Sequence, residues 1–221
     1  MRAMSSHTAR RSFLARIGAA AAALGVGGSI PRAEGQTPTK AESAWQPARH
    51  PQDDWLEQVP GKHRIFFDCL QAPGTGEAVA FANNFVEGNK AAYGLEPADL
   101  AMIFCLRHTA TVLGFNDAIW AKYGAIFADQ LKLDLKGNPP PATNPRSPVF
   151  AVFAKRGAHF AVCDMASHRV AGVIARRTDG KAEDVYKEFA ANLVSNGRFV
   201  AAGIIAVNRA QERGYTIVHA G

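Results

Sequence analysis

The three cysteines, Cys69, Cys105 and Cys163, are the residues of this 221-residue chain best suited to covalent chemistry. No two of them have the short Cys-x-x-Cys spacing that is typical of zinc sites and thioredoxin-like motifs, so we predict no metal site. Each cysteine lies near the end of a short apolar segment of the kind that forms a buried strand. Cysteine is also a common small buried residue, so simple packing is the first interpretation of Cys69 and Cys105.

Cys163 differs from the other two in its local sequence. It ends an apolar segment, and Asp164 comes directly after it at a predicted junction between a strand and a helix. Backbone N–H groups at the start of a helix favour a thiolate over a thiol, whereas a neighbouring carboxylate opposes it. Cys163 is therefore the candidate reactive thiol.

Three further side chains are candidate binding residues. His108 lies just after the second predicted strand on the cysteine edge, where it is a base, a ligand-binding group or a plain loop residue. Asn116 lies at the start of a predicted helix and is most simply its cap. Trp120 and Tyr123 share a helix face, so they either pack in a core or interface or form an aromatic wall for a ligand.

Short apolar strands alternate with helices from residue 63 onward. Strands are predicted at residues 63–69, 101–106, 158–163, 199–201 and 215–219, and helices at residues 77–93, 115–127, 147–155, 166–176, 182–193 and 203–213. This alternation favours parallel pairing and a three-layer α/β/α sandwich with a five-stranded parallel sheet. The flavodoxin-like strand order 2-1-3-4-5 is the commonest solution at this size. In that order, the three cysteines lie on adjacent strands at the carboxyl edge of the sheet, where ligands bind.

The N-terminal segment has the pattern of a secretory leader. Residues 1–16 hold four arginines and no acidic residue, residues 17–30 are apolar, and residues 29–33 are mostly small and include a proline. The run Arg10-Arg11-Ser12-Phe13-Leu14 is similar to the twin-arginine motif, although an ordinary leader with a chance arginine pair is the alternative. The apolar stretch is shorter than the ~20 residues that span a bilayer, so we predict no stable membrane span. We therefore expect a twin-arginine signal peptide at residues 1–33, export by the twin-arginine translocase and a periplasmic or other extracytoplasmic location.

The predicted leader also accounts for the basic composition. The whole chain has a net charge of +6, but cleavage after Ala33 leaves 20 Lys and Arg against 19 Asp and Glu. A nearly neutral mature chain does not support nucleic-acid binding. Its length suits one domain, predicted at residues 61–221 after a polar tether or arm at residues 34–60. Trp45 and Trp55 are the residues we expect to pin this arm to the domain.

Several segments resemble the DsrE/DsrF-like sulfur-relay superfamily, and together they cover most of residues 62–221. They are AHFAVCDMA at 158–166, RFVAAG at 198–203, AVNRAQERGY at 206–215, and LRH at 106–108 with FNDAIWAKY at 115–123. The chain looks most like the exported, poorly characterised branch of that superfamily. The resemblance implies an α/β/α sandwich with a five-stranded parallel sheet, assembly into homo-oligomers, and sulfur transfer as a cysteine persulfide. Cys163 occupies what looks like the position of the acceptor cysteine.

The sequence supports two hypotheses for the function and does not decide whether either makes the protein an enzyme. In the first, Cys163 handles sulfur as a persulfide carrier or through thiol redox chemistry, with a sulfur donor or acceptor protein as its partner. Such a carrier benefits from a resolving thiol, for which Cys69 is the candidate, and an oxidising compartment favours a disulfide between the two. In the second, the protein is a non-catalytic periplasmic binding or assembly protein on the same fold. Residues 74–76 are too short for a phosphate loop, and we predict no cofactor.

Overall fold

The structure is a computed structural model and describes residues 46–221. The predicted leader at residues 1–33 and the anchor candidate Trp45 lie outside the described residues. The strands are β1 His63–Cys69, β2 Leu100–Leu106, β3 His159–Cys163, β4 Gly197–Val200 and β5 Thr216–Ala220. The helices are α1 Trp55–Gln58, α2 Ala72–Tyr93, α3 Asp117–Leu131, α4 Ser147–Lys155, α5 Asp164–Thr178, α6 Ala182–Ala191 and α7 Gly203–Gln211.

The five strands form a parallel sheet, which confirms the predicted fold class. Their order in the sheet is β4-β3-β2-β1-β5. Read from its other edge, this order is 5-1-2-3-4. It differs from the predicted 2-1-3-4-5 because β2 lies between β1 and β3, and β5 pairs with the other side of β1. The carboxyl ends of β1, β2 and β3 are therefore neighbours, but β1 and β3 are not paired.

The strand order explains why the helices divide unequally between the two faces of the sheet. From β1 to β4 the chain moves across the sheet in one direction, and right-handed crossovers then place α2 to α6 on one face. From β4 the chain must return across the whole sheet to β5, and the same handedness puts α7 on the other face. That second face is completed by α1, which belongs to the N-terminal arm.

The larger layer is an aromatic core. Phe104 of β2 stacks on Phe67 and Phe160 of the two neighbouring strands, with ring centroids 5.0 and 5.4 Å apart. Phe115, just before α3, and Phe189 of α6 stack with ring centroids 4.1 Å apart. Every residue of β2 is buried, as expected for the central strand of a parallel sheet that is covered on both faces.

The smaller layer is closed by the arm. Trp55 is only 6% exposed and lies beneath the guanidinium of Arg198, 4.7 Å from its ring centroid. The Tyr215 hydroxyl donates a hydrogen bond of 2.6 Å to the Leu56 carbonyl. Trp55 therefore has the anchoring position that the sequence suggested for it.

Two helix starts differ from the sequence prediction in ways that affect the sheet edge. α2 begins at Ala72 rather than at residue 77, because Pro73 is tolerated in the first turn, where its missing N–H is not needed. α5 begins at Asp164, directly after β3, rather than at residue 166. Cys163 is consequently both the last residue of β3 and the residue at the N-cap position of α5, where its side chain makes no capping hydrogen bond.

Candidate functional site

A cleft of about 330 Å³ opens at the carboxyl edge of the sheet, where β2 and β3 end and where α5 and α7 begin. Its walls combine a thiol, two guanidinium groups, an imidazole and apolar side chains. The lining residues are Arg107, His108, Cys163, Met165, Ala166, Arg169, Ala202, Gly203 and Ile204. The cleft therefore contains the predicted reactive thiol and the predicted binding residue His108.

The Cys163 thiol reaches this cleft because of strand alternation. Successive side chains of a strand point to opposite faces, so Cys163 shares its face with the fully buried Ala161, toward α7. Cys163 is 7% exposed. The Ser167 hydroxyl donates a 2.9 Å hydrogen bond to the Cys163 carbonyl and fixes the first turn of α5. The thiol is thus held at a helix N-terminus with a narrow opening to the cleft.

Arg107 is held beside Cys163 by a buried carboxylate. β2 and β3 are in register at Leu106 and Val162, so Arg107 and Cys163 come next at the same level of the edge. Asp68 is 3% exposed and accepts two hydrogen bonds from Arg107, 2.6 Å from Nε and 2.9 Å from Nη2. These bonds raise the pKa of the Arg107 guanidinium, which therefore stays charged.

Asp68 also contacts an imidazole from the neighbouring edge strand. His219 Nδ1 lies 3.1 Å from Asp68 Oδ2, and the His219 side chain is 60% exposed. The carboxyl edge thus carries a row of polar groups that runs from His219 through Asp68 and Arg107 to Cys163. The sequence prediction missed the first three members of this row.

Close contact between α7 and Arg107 depends on a glycine. A Cβ atom at Gly203 would lie 2.5 Å from the Arg107 Cβ, well inside any normal contact. The Cys105 thiol donates to the Gly203 carbonyl, with Sγ and O 3.7 Å apart. Gly203 therefore lets the start of α7 lie directly on the arginine stem and close one side of the cleft.

The resolving-thiol prediction required Cys69 to lie close to Cys163, and the structure keeps the two apart. Cys69 belongs to the larger layer on the opposite face of the sheet, and β2 separates its strand from β3. Two strand spacings are ~9.5 Å, beyond the roughly 7 Å that Cα atoms in a disulfide span. Burial raises the pKa of the Cys69 thiol to about 12, and the Asp68 carboxylate adds to this effect. All three cysteines are free.

Cys105 is the cysteine on the same face as Cys163, in the adjacent strand. It pairs in register with Ala161, two residues before Cys163. Burial raises the pKa of the Cys105 thiol well above its usual value, with the Asp68 charge as the next cause. Cys105 is fully buried and therefore has no route to solvent of its own.

The three predicted binding residues lie in three different places. His108 is exposed at the cleft, in a left-handed conformation with φ 55°, and Arg169 donates to its carbonyl at 3.4 Å. Asn116 caps α3 by accepting from the Ala118 and Ile119 N–H groups, which agrees with its simpler interpretation. Trp120 is fully buried in the core and donates to the Val112 carbonyl at 3.0 Å, so it lines no ligand cleft.

Asn116 borders a second cavity, of about 540 Å³, where α3 and α4 begin. The carboxylate of this cavity, Asp117, accepts from the Asn144 N–H at 2.8 Å and from the Ser147 hydroxyl at 2.7 Å. The Asn144 side chain in turn donates 2.8 Å hydrogen bonds to the Leu113 and Phe115 carbonyls. These polar groups satisfy one another and tie the two helix starts together, which gives this cavity a structural explanation.

Residues 46–221 were also searched for metal sites and membrane-spanning helices. No group of three or more His, Cys, Asp and Glu side chains in this range is placed to hold a metal ion. Over the same residues, none of the helices has both the length and the apolar character needed to cross a membrane. The cleft at Cys163 is the candidate functional site because it holds both a thiol and guanidinium groups.

Comparisons with known proteins leave the family of this chain open. No protein-family model matches it, and no curated protein matches it. Among solved structures, it is similar to a protein of unknown function, MTH1491, from Methanobacterium thermoautotrophicum. The match has a TM-score of 0.41 and 11% sequence identity, and covers 72% of this chain and 99% of the other.

Proposed function

We propose that this protein is an exported sulfur-handling protein in which Cys163 accepts sulfur as a persulfide or undergoes thiol redox exchange. The observation that carries the proposal is the position of the Cys163 thiol, at the start of α5 and in the cleft that Arg107 lines. A helix N-terminus and a nearby guanidinium both stabilise a negative sulfur. The twin-arginine leader predicted at residues 1–33 is the basis for proposing export.

The persulfide step needs no oxidant. The Cys163 thiolate attacks the terminal sulfur of a donor persulfide, and a new S–S bond forms at Cys163 Sγ. The donor S–S bond breaks, and its electron pair leaves with the donor as a thiolate. The proton of the terminal sulfur stays with it or passes to solvent, so the number of electrons held by the two partners together is unchanged.

The surface around the cleft suits the approach of a donor. Met165 is 69% exposed and Ile204 is 60% exposed, so the rim presents apolar side chains on both sides of the thiol. Arg169 adds a positive group at the same rim. A donor that carries its persulfide on a slender extension reaches a thiol that is only 7% exposed.

A second candidate function is non-catalytic binding of a small anion in the same cleft. The near-complete burial of Cys163 favours this alternative, because a carrier thiol has to be reached by its partner. In this case Arg107, His108 and Arg169 would bind the anion and Cys163 would only line the cleft.

Intact mass of the exported protein separates these functions. We expect incubation with glutathione persulfide to add one sulfur atom to the native protein, and reductant to remove it. Cys163→Ser should abolish the gain, whereas Cys69→Ser, a matched change at a fully buried thiol, should retain it. A sulfur gain that persists in Cys163→Ser, or no gain in the reduced native protein, would overturn the proposal. In the latter case, a rise in melting temperature with sulfate or thiosulfate would support anion binding. The same spectrum reports whether the leader has been removed.

A further inference from the structure

The carboxylate next to Cys163 is turned away from the cleft. Asp164 comes directly after Cys163 in the chain, yet it is absent from the residues that line the cleft, whereas Met165 and Ala166 are present. Instead, the Asp164 carboxylate accepts a hydrogen bond from the Tyr186 hydroxyl of α6. A negative charge that would oppose a thiolate is thus held on the side of α5 that faces α6.

Tyr186 is itself held by two neighbouring aromatic rings. Its ring stacks on His168 of α5 with centroids 3.8 Å apart and an angle of 11° between the planes. The ring also stacks on Phe199 of β4, with centroids 5.4 Å apart and an angle of 19° between the planes. His168 Nε2 lies 3.7 Å from the second oxygen of Asp164. Stacking against α5 and β4 therefore holds the ring that carries the hydroxyl.

The phenol of Tyr186 remains a hydrogen-bond donor at neutral pH. Burial raises the pKa of Tyr186 to about 12, and the hydrogen bond and charge of Asp164 add to this effect. An ordinary role in packing α6 against α5 explains the stacked ring. It does not account for a hydroxyl directed at the one carboxylate adjacent to the reactive thiol.

We propose that Tyr186 is a positioning residue for Cys163, which keeps the Asp164 carboxylate out of the cleft so that the thiolate forms more readily. This inference rests on the proposed function, since it concerns the reactivity of the same thiol. The charged and titratable groups around Cys163 are Arg107, His108 and Arg169 along the cleft, Asp164 and His168 on α5, and Asp68 behind Arg107. Cys105 lies buried beneath, and the start of α7 contributes no titratable side chain to the cleft.

The test is the rate at which iodoacetamide alkylates native protein as a function of pH, measured by intact mass. In Tyr186→Phe the ring and its stacking remain, but the Asp164 carboxylate is released. We expect the midpoint of the rate profile to move to higher pH and the rate at neutral pH to fall about threefold, because a unit charge comes nearer the sulfur. Asp164→Asn should raise the rate at neutral pH.

The double variant Tyr186→Phe with Asp164→Asn distinguishes positioning from packing. If Tyr186 acts through the carboxylate, its loss has no further effect once residue 164 is neutral, and the two changes are non-additive. The matched control is Tyr123→Phe, which removes a 2.9 Å hydrogen bond to Glu188 elsewhere and should leave the profile unchanged.

Two outcomes would overturn the inference. One is a pH–rate profile of Tyr186→Phe that coincides with the native profile. The other is a Tyr186→Phe substitution that lowers the alkylation rate equally whether residue 164 is aspartate or asparagine. Failure of the proposed function itself looks different, because glutathione persulfide would then add no sulfur at Cys163, whatever the alkylation profiles of the variants.

Discussion

At the scale of single residues, the sequence indicated the thiol of Cys163 and the nearby His108, but not the polar row of Arg107, Asp68 and His219 beside them. Cys163 was identifiable because the end of a strand and the start of a helix can both be read from local pattern. Asp68 lay within an apolar strand, where a lone carboxylate signals a buried partner, but its partner Arg107 is 39 residues away. The choice of partner depends on strand order, which local pattern does not determine.

Asp68 should stabilise the fold through Arg107 rather than through His219. Asp68→Asn removes the charge from a carboxylate that is 3% exposed and that accepts two hydrogen bonds from Arg107. We expect the free energy of unfolding in urea to fall by about 2 kcal/mol, less than for a fully buried pair because the Arg107 side chain is 20% exposed. His219→Gln, at a side chain that is 60% exposed, should cost less than about 0.5 kcal/mol. Equal losses in the two variants would contradict this assignment.

At the scale of elements, periodicity predicted the kinds and sequence of the strands and helices from β1 to β5, but not the order of the strands. Both 2-1-3-4-5 and the observed order satisfy alternation and right-handed crossovers. The difference is whether the chain reverses direction after β2 or only after β4. That choice depends on how the faces pack: one face needs five helices, and the other needs only α7 and the arm.

Two glycines within helices should respond in opposite ways to alanine. Gly88 is exposed in α2, and a Cβ there would have no neighbour within 4 Å. Gly124 in α3 faces the following loop, and a Cβ there would lie 1.9 Å from the Pro141 carbonyl oxygen. Because alanine favours helix, Gly88→Ala should raise the free energy of unfolding by about 0.5–1 kcal/mol. Gly124→Ala should lower it by roughly 2 kcal/mol through the clash, and thermal or urea unfolding of the pair measures both signs. Stabilisation by both changes would show that the loop after α3 moves freely.

At the scale of the whole molecule, the chain around Trp55 is part of the domain rather than a passive tether. Trp55, Leu56 and Val59 complete the smaller layer with α7 and β5. The sequence suggested an arm pinned by tryptophan, and the structure adds that the arm covers apolar sheet surface. Composition alone does not show this, because residues 34–60 are mostly polar and lack periodicity.

Loss of the Trp55 side chain should therefore act as a core mutation. Trp55→Ala should lower the free energy of unfolding by about 3 kcal/mol, because a side chain that is 6% exposed leaves a cavity. Tyr215→Phe removes the hydrogen bond to Leu56 and should cost about 1 kcal/mol. In the double variant, the free energy of unfolding should fall by less than the sum of the two separate losses, because a detached arm no longer makes either contact. Strict additivity in urea titrations would indicate that the arm does not detach as a unit.

The hydrogen bond between Leu56 and Tyr215 joins residues that are 159 positions apart, and β5 pairs with β1 rather than with the strand that precedes it. During synthesis, β1 and the arm therefore cannot form all their native contacts until β5 has been made. Contacts this distant in sequence form slowly, because a long loop must close first. The arm around Trp55, although it comes early in the chain, is then expected to be among the last parts of the domain to fold. If export follows the twin-arginine route proposed for residues 1–33, which carries folded proteins, the arm has to dock on the sheet before the protein is exported.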